Sequence, residues 1–196
     1  MLQPKGTQTN KTKKMYKPTN KELLELRKKI FLERGIPALE QNGFKKSPFS
    51  TAWYGKNNLG DYTYELCRVT KDSTLNLIEV HISKGDMWVK IFLNIFKLFS
   101  EVTTLEQLQG IDGLKYYLPP NSLTKMRLRI DGYNTIPLFR TKEHKLKSFS
   151  SENGLNKRSK ELGDLIAQDL TNIDEFIKRW HELHQPNLVD WEGNKI

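Results

Sequence analysis

The stretch that most constrains the fold of this chain runs from Leu75 to Leu98, where two apolar-rich segments flank the turn-forming residues 83–86. The first segment alternates apolar and polar residues around Glu79 and His81, with the period of two that a β-strand requires. The second segment, from Val89 onwards, is apolar on both faces, which is typical of a central strand covered on both sides. The sequence therefore predicts a β-hairpin at the centre of an antiparallel sheet, with a helix over its second face.

Helical periodicity flanks this hairpin on both sides. Asn20 is a good N-cap for a first helix, and Gly35-Ile36-Pro37 is expected to interrupt that helix because an internal proline removes a backbone donor. A stronger pattern runs from Leu162 to Trp180, with apolar residues at intervals of three and four. Asn172 marks the point where this last helix is expected to kink or restart.

Further segments predict an antiparallel sheet of about five to six strands: three of them alternate as strands do, and 115–118 is apolar enough for a short strand. These segments are 49–54, 62–67, 115–118 and 125–130. The fold class is therefore α+β, with the sheet packed against the N-terminal and C-terminal helices. We expect residues 1–18 to be a disordered basic tail, residues 19–185 to form a single domain and residues 186–196 to be a C-terminal tail.

The net charge of +9 is unevenly distributed along the 196 residues. Residues 1–21 carry +6 and residues 140–160 carry +5, so the remainder is slightly acidic. Cys67 is the single cysteine, which excludes a disulfide scaffold and a cysteine zinc cluster and favours a reducing compartment. No apolar run approaches the roughly 18 to 20 residues of a membrane span. We therefore expect a cytoplasmic protein without a membrane segment.

Glu79 and His81 are candidate catalytic residues because both leave the same face of the first hairpin strand. Nucleases of the restriction-endonuclease type place an acid and then Glu-x-Lys on such strands, since carboxylate oxygens hold Mg²⁺ and the metal activates water. Here a histidine stands at the lysine position, and Asp61 and Asp72 are the candidates for the first acid. A hydrogen-bonded or solvent-facing strand pair is the favoured alternative, because such short motif matches are weak.

Other catalytic signatures are missing. His181 and His184 lack the His-Glu-x-x-His spacing of a zinc hydrolase, and a histidine near the negative end of a helix is the better interpretation. There is no Gly-x-Ser-x-Gly elbow, no Gly-x-Gly-x-x-Gly loop and no Walker A sequence. The sequence accordingly predicts no metal and no cofactor, and it favours a protein that is not an enzyme.

The candidate binding residues are basic: Lys125, Arg127, Arg129, Arg140, Lys142, Lys145 and Lys147. The first three alternate on one face of a predicted strand, so that a positive patch is offered to phosphates or to an acidic protein. A solvated strand face, charged to discourage edge pairing, is the alternative. Aromatic residues are not interleaved with this row in the sequence, which counts against recognition of single-stranded nucleic acid.

The order of a helix, the step Gly43-Phe44-Lys45-Lys46, two antiparallel strands and a closing helix resembles small bacterial α+β domains of unknown function, some of them suspected toxin-immunity proteins. The resemblance covers about residues 20 to 100, and it assigns a role to no individual residue. It implies a non-enzymatic protein that binds a protein partner. This is the leading prediction, followed by nucleic-acid binding through residues 125–160 and then by a metal-dependent nuclease. The sequence leaves the partner and the oligomeric state open.

Overall fold

The computed structural model describes residues 16–99, 101–131 and 142–196. The α-helices within these ranges are α1 (Asn20–Ile30), α2 (Ile36–Gln41), α3 (Glu152–Thr171) and α4 (Ile173–Leu183). The strands are β1 (Lys45–Lys46), β2 (Tyr54–Lys56), β3 (Tyr62–Val69), β4 (Thr74–Ile82), β5 (Lys90–Leu98), β6 (Met126–Arg127) and β7 (Asn187–Val189). Three short 3-10 turns span Leu105–Leu108, Leu114–Tyr117 and Asn121–Thr124. The predicted α+β class is confirmed, whereas residues 1–15 of the predicted tail lie outside the described residues.

Helix α1 begins at Asn20, one residue earlier than a helix capped by Asn20 would begin. Thr19 is the N-cap, and its hydroxyl accepts a hydrogen bond from the backbone N–H of Glu22 at 3.2 Å. The Glu22 carboxylate accepts in return from the backbone N–H of Thr19 at 2.6 Å. This reciprocal capping box satisfies two helix donors. Asn20 is therefore the first residue of the helix and does not cap it.

The predicted break at Gly35-Ile36-Pro37 is wrong, because the chain passes through these residues as a helix. A π-helical turn over Phe31–Gly35 joins α1 to α2, and the N–H of Ile36 donates to the carbonyl of Phe31. Pro37 lies in the first turn of α2, where a backbone donor needs no partner within the helix. Gly35 is required by close packing, since a Cβ there would lie 2.5 Å from the Phe31 ring.

The sheet is centred on the predicted hairpin. Strands β3, β4 and β5 are antiparallel neighbours, and β4 pairs with β5 from Thr74 opposite Lys97 to His81 opposite Lys90. β1 and β2 share the outer edge of β3, while β6 and β7 share the outer edge of β5. Only β7 among these described strands runs parallel to its neighbour. The C-terminal segment thus completes the sheet.

The first face of the sheet holds the main core, which packs against all four helices. Its buried strand residues are Tyr62, Tyr64, Leu66, Ile78, Val80, Ile82, Ile91, Leu93 and Ile95. From the helices, Phe31, Ile166 and Trp180 are completely buried against them. Each large apolar side chain buried in this way stabilises the fold by about 1.5–3 kcal/mol.

The last helix restarts at Asn172, as predicted, and this restart lets both α3 and α4 bury apolar faces. No helix in the described ranges is long and apolar enough to cross a membrane.

The second face is divided into two halves. One half is apolar and is covered by 3-10 turns, where Tyr116 packs on Phe49 and Phe96 with ring centroids 4.9 and 5.0 Å apart. The predicted helix over this face and the predicted strand at 115–118 are therefore both wrong, because these turns take their place. The other half is termed the polar half-face, and it consists of Thr63, Glu65, Glu79, His81, Trp88, Lys90, Phe92, Lys125 and Arg127.

Candidate functional site

A cavity of about 500 Å³ opens on the polar half-face beside β3 and β4. Glu65, Glu79 and His81 line it on the strands. Trp53 and Leu59, from the segments around β2, lie at its exposed rim, where the side chain of Leu59 is 87% exposed. Pockets for ligands typically combine a mostly apolar lining with a few convergent polar groups. The exposed lining surface of this cavity is mostly apolar, although most of its lining residues carry a polar group.

Strand register brings the two glutamates of the cavity together. Glu65 lies directly opposite Glu79 in the β3–β4 pair. Side chains opposite one another in antiparallel strands have Cβ atoms about 4.5–5.5 Å apart. Both residues are buried, with 4% and 9% of their surface exposed. Because like charges this close disfavour ionisation, each carboxylate needs its own compensating partners.

Glu79 has two such partners. One of its carboxylate oxygens is bonded to Nε2 of His81, and the other accepts from Nζ of Lys125. Although burial opposes ionisation, these two partners lower the pKa of Glu79. The His81 ring also packs edge-on against Phe92, with centroids 5.7 Å apart. Glu79 is thus held as a carboxylate, and the Glu79–His81 pair is internally hydrogen-bonded.

Glu65 is in a different environment. Burial, followed by the charge of Glu79, raises the pKa of Glu65. Its carboxylate accepts a hydrogen bond from the hydroxyl of Tyr117. Burial and the nearby Glu65 raise the pKa of Tyr117 well above its ordinary value, so this hydroxyl keeps its proton and remains a donor. The two glutamates therefore have pKa values shifted in opposite directions, and Glu65 is the one that gains most from an additional positive partner.

The predicted nuclease arrangement gains no support from this geometry. Asp61 accepts the backbone N–H of Lys84 at 2.7 Å, and Asp72 lies in the β3–β4 turn, bonded to the hydroxyl of Thr74 at 2.8 Å. Within residues 16–99, 101–131 and 142–196 there is no group of three or more His, Cys, Asp or Glu side chains that could hold a metal ion. Elsewhere, His181 packs its ring against Trp180 at the end of α4.

The predicted basic strand at 125–130 is shorter than expected. β6 ends at Arg127, and the chain then turns, with Arg129 at a φ of +62°. The Arg129 side chain leaves the sheet for α3, where its Nη2 donates to Asp169 Oδ1 at 2.6 Å. Lys125 pairs with Glu79, and the Arg127 guanidinium lies 4.4 Å from the ring centroid of Trp88. The three residues therefore do not form one basic row.

The other candidate binding residues lie beside α3. Lys142, Lys145 and Lys147 are exposed, and Nζ of Lys145 lies 4.8 Å from the centroid of the Trp88 ring. Arg140 lies outside the described residues. The fold therefore joins Lys145 to Arg127 through a shared aromatic ring, although the two cations come from different segments.

Sequence reasoning missed Glu65, Tyr117 and Trp88. A signal for Glu65 was present, because Glu65 and Glu79 each lie seven residues from Asp72 in the turn, and hairpin turns set strand register. No comparable local signal pointed to Tyr117 or Trp88. Their partners are distant in the sequence, so their roles depend on tertiary packing.

A scan against models of known protein families, a search of curated proteins and a search of solved structures each find no match to this chain. The chemistry of the polar half-face is therefore the basis on which a function can be assigned.

Proposed function

We propose that this protein is a non-enzymatic binding protein that receives a basic side chain of a partner protein in the cavity of its polar half-face. One observation carries the proposal: Asp61, Glu65 and Glu79 line the cavity, whereas none of its described lining residues is a lysine or an arginine. The chain as a whole carries a net charge of +9, so this concentration of carboxylates is local. A cation beside Glu65 would favour its ionised form and replace the solvation lost on burial.

The rim of the cavity supports a protein partner. Trp53, Leu59 and Leu114 are exposed around the polar floor. Exposed apolar groups gathered at one place mark interaction surfaces, and aromatic residues are enriched at the centres of interfaces. An entering lysine or arginine would lay its alkyl stem on this rim while its charged head reaches the carboxylates. An indole such as that of Trp53 also attracts a guanidinium group.

The floor is suited to binding more than to catalysis. Both oxygens of Glu79 are already engaged by Lys125 and His81. Cys67, the only thiol, is buried, and burial raises its pKa to about 12, so it is not a nucleophile at neutral pH. An inhibitor of the immunity type is one form that a binding protein of this kind can take.

The cavity is tested with N-acetyl-arginine methylamide and its neutral isostere N-acetyl-citrulline methylamide, titrated into the labelled full chain and followed by NMR. We expect the arginine compound to shift the β3 and β4 resonances. The citrulline compound should bind about tenfold more weakly, because a hydrogen bond to a charged group contributes about 1.5–3 kcal/mol. Glu65→Gln should weaken arginine binding similarly. Glu175→Gln, at an exposed position on α4, is the matched control. Equal affinity for the two compounds would contradict the proposal.

The interface is tested with two exposed leucines. Leu59→Asp places a charge at the rim, whereas Leu123→Asp alters a leucine that is 74% exposed and does not line the cavity. Tagged variants are used to capture partners from the native cells, and the captured protein is then purified for an affinity measurement. We expect wild type and Leu123→Asp to bind it alike and Leu59→Asp to lose it. Full retention by Leu59→Asp would show that the rim is not the interface.

A further inference from the structure

A second site lies on the β5–β6 side of the polar half-face, away from the carboxylates that line the cavity. Its centre is the indole ring of Trp88, with Arg127 Cζ 4.4 Å and Lys145 Nζ 4.8 Å from the ring centroid. Trp88 precedes β5, Arg127 ends β6, and Lys145 pairs with Trp88 through an isolated antiparallel bridge. The aromatic residue that the basic row lacks in the sequence is therefore supplied by the fold.

Among the described residues, the two cations over Trp88 lack acidic partners. Neither Arg127 nor Lys145 forms an ion pair with a carboxylate in the described part of the chain. In contrast, Lys160 on α3 is paired with Asp164 at 2.6 Å. A cation–π contact attracts each charge to the ring without neutralising it, so the two positive groups still repel each other. An anion bound between them would offset this repulsion.

A second ring continues the surface along β5. Phe92 lies four residues beyond Trp88 and faces the same way, and four residues of a strand span about 13 Å of backbone. Nζ of Lys125 lies 5.4 Å from the Phe92 ring centroid, and Arg127 is the cross-strand partner of Phe92. Rings and basic side chains are thus interleaved on one sheet surface, although Lys125 is already paired with Glu79. Proteins that bind single strands use this arrangement, in which bases stack on rings and phosphates contact cations.

A basic groove continues from the Trp88 ring. It has a volume of about 370 Å³, lies between the segment 142–147 and α3, and is lined by Lys142, Lys145 and Lys147. Three carboxylates also line it: Glu161 and Asp164 are held by basic residues of α3, and Glu143 lies between the first two lysines in the sequence. Lys145 belongs to both the groove and the ring site. The groove therefore offers further lysines to phosphates that leave the ring.

We infer that Trp88, Arg127 and Lys145 form a binding site for single-stranded nucleic acid. A base stacks on the Trp88 ring in place of a cation, and the displaced side chains of Arg127 and Lys145 bind the adjoining phosphates. A duplex fits the site less well because its bases are stacked on one another and are not free to pack on a side chain. This inference does not depend on the proposed function, since it uses different side chains.

The test measures fluorescence anisotropy of a labelled oligouridine, the corresponding oligothymidine and a duplex of the same length, each with the full chain. We expect both single strands to bind more tightly than the duplex. Trp88→Leu should weaken single-strand binding at least about fivefold, which corresponds to one lost stacking contact, and should leave duplex binding unchanged. Lys145→Ala should reduce the slope of log affinity against log salt by about 0.7. Lys178→Ala, an exposed lysine of α4, is the matched control.

Trp88 is half-buried, so its replacement can disturb the hairpin. Lys145 is exposed, so its replacement tests the site independently of folding. The inference is overturned if no single strand binds, if Lys145→Ala behaves as Lys178→Ala does, or if a folded Trp88→Leu variant binds single strands as wild type does. Binding of polyglutamate as tight as that of oligouridine would indicate a site for an acidic protein and would also overturn it. Leu59→Asp is expected to leave oligonucleotide binding unchanged, so that this inference and the proposed function can fail separately.

Discussion

His144 belongs to a buried charged network that positions the basic segment of the second site. Its Nε2 lies 2.7 Å from Oδ2 of Asp169. The two oxygens of the Asp169 carboxylate also accept hydrogen bonds from Arg129. Burial lowers the pKa of His144 even though Asp169 opposes the shift, and the charges of Arg129 and Arg127 lower it further. The pKa of Asp169 is lowered by its two partners, although burial opposes this. A neutral imidazole therefore holds the chain beside Lys145 against α3.

This burial of a neutral histidine predicts a pH dependence of stability. The unfolded chain protonates His144 near the ordinary value of 6.5, whereas the native ring protonates only at lower pH. The contribution is therefore present above about pH 6.5 and is lost progressively as the pH falls below it. We expect the free energy of unfolding, measured with urea, to fall over this range in wild type and to fall less in His144→Asn. An unchanged slope in His144→Asn, with His181→Asn as control, would contradict this assignment.

At the scale of elements, α1 holds the turn between β4 and β5. Arg27 of α1 is completely buried, and it donates to the Asp86 carboxylate at 3.2 Å, the Trp88 carbonyl at 2.9 Å and the Ser83 carbonyl at 3.1 Å. A guanidinium group can satisfy several acceptors at once because its donors are arranged in a planar fork. The first helix thereby fixes the backbone that carries Trp88.

Removing this anchor should be costly. We expect Arg27→Ala to lower the free energy of unfolding by about 3 kcal/mol, because the variant leaves buried carbonyls and the Asp86 carboxylate without their donor. Lys29→Ala, which removes an exposed ion pair to Glu33 at 3.8 Å, should change it by less than about 0.5 kcal/mol. Chemical denaturation monitored by circular dichroism measures both values. Similar small losses in the two variants would show that Arg27 is not an anchor.

At the scale of the whole molecule, the C-terminal segment closes the apolar half of the second face. β7 pairs with β5, with Leu98 opposite Val189. Beyond β7, the Tyr116 hydroxyl donates to the backbone carbonyl of Trp191 at 2.9 Å. The Asn121 side chain donates to the backbone carbonyl of Gly193 at 2.6 Å. The last residues therefore tie the sheet to the 3-10 turns that cover it.

Two neighbouring residues of β7 test this role. Val189 is completely buried, whereas Leu188 is 40% exposed. We expect Val189→Asp to lower the free energy of unfolding by at least about 3 kcal/mol, because a carboxylate would be buried without a partner. Leu188→Asp should cost less than about 1 kcal/mol, as exposed substitutions usually do. Thermal and urea unfolding of both variants measure the difference. Equal stability would indicate that β7 does not seal the core.

Local patterns predicted those parts of the fold that local energetics control. Alternation identified β4 and β5, and helical periodicity identified α3 and α4 with the restart at Asn172. The same reasoning was wrong where packing overrides local preference. Pro37 is accommodated in the first turn of α2, and the segment 115–118 becomes a 3-10 turn because the ring of Tyr116 is buried between Phe49 and Phe96.

By itself the sequence determined the α+β class and the central hairpin, because alternation and turn position act between neighbouring residues. Only the tertiary structure decided which half of the second face is covered, since that depends on where the 3-10 turns and β7 pack. It also decided that Trp88, Arg127 and Lys145 meet. These residues lie on separate segments. Their contact depends on the pairing of β6 with β5 and of Lys145 with Trp88, which no local pattern specifies.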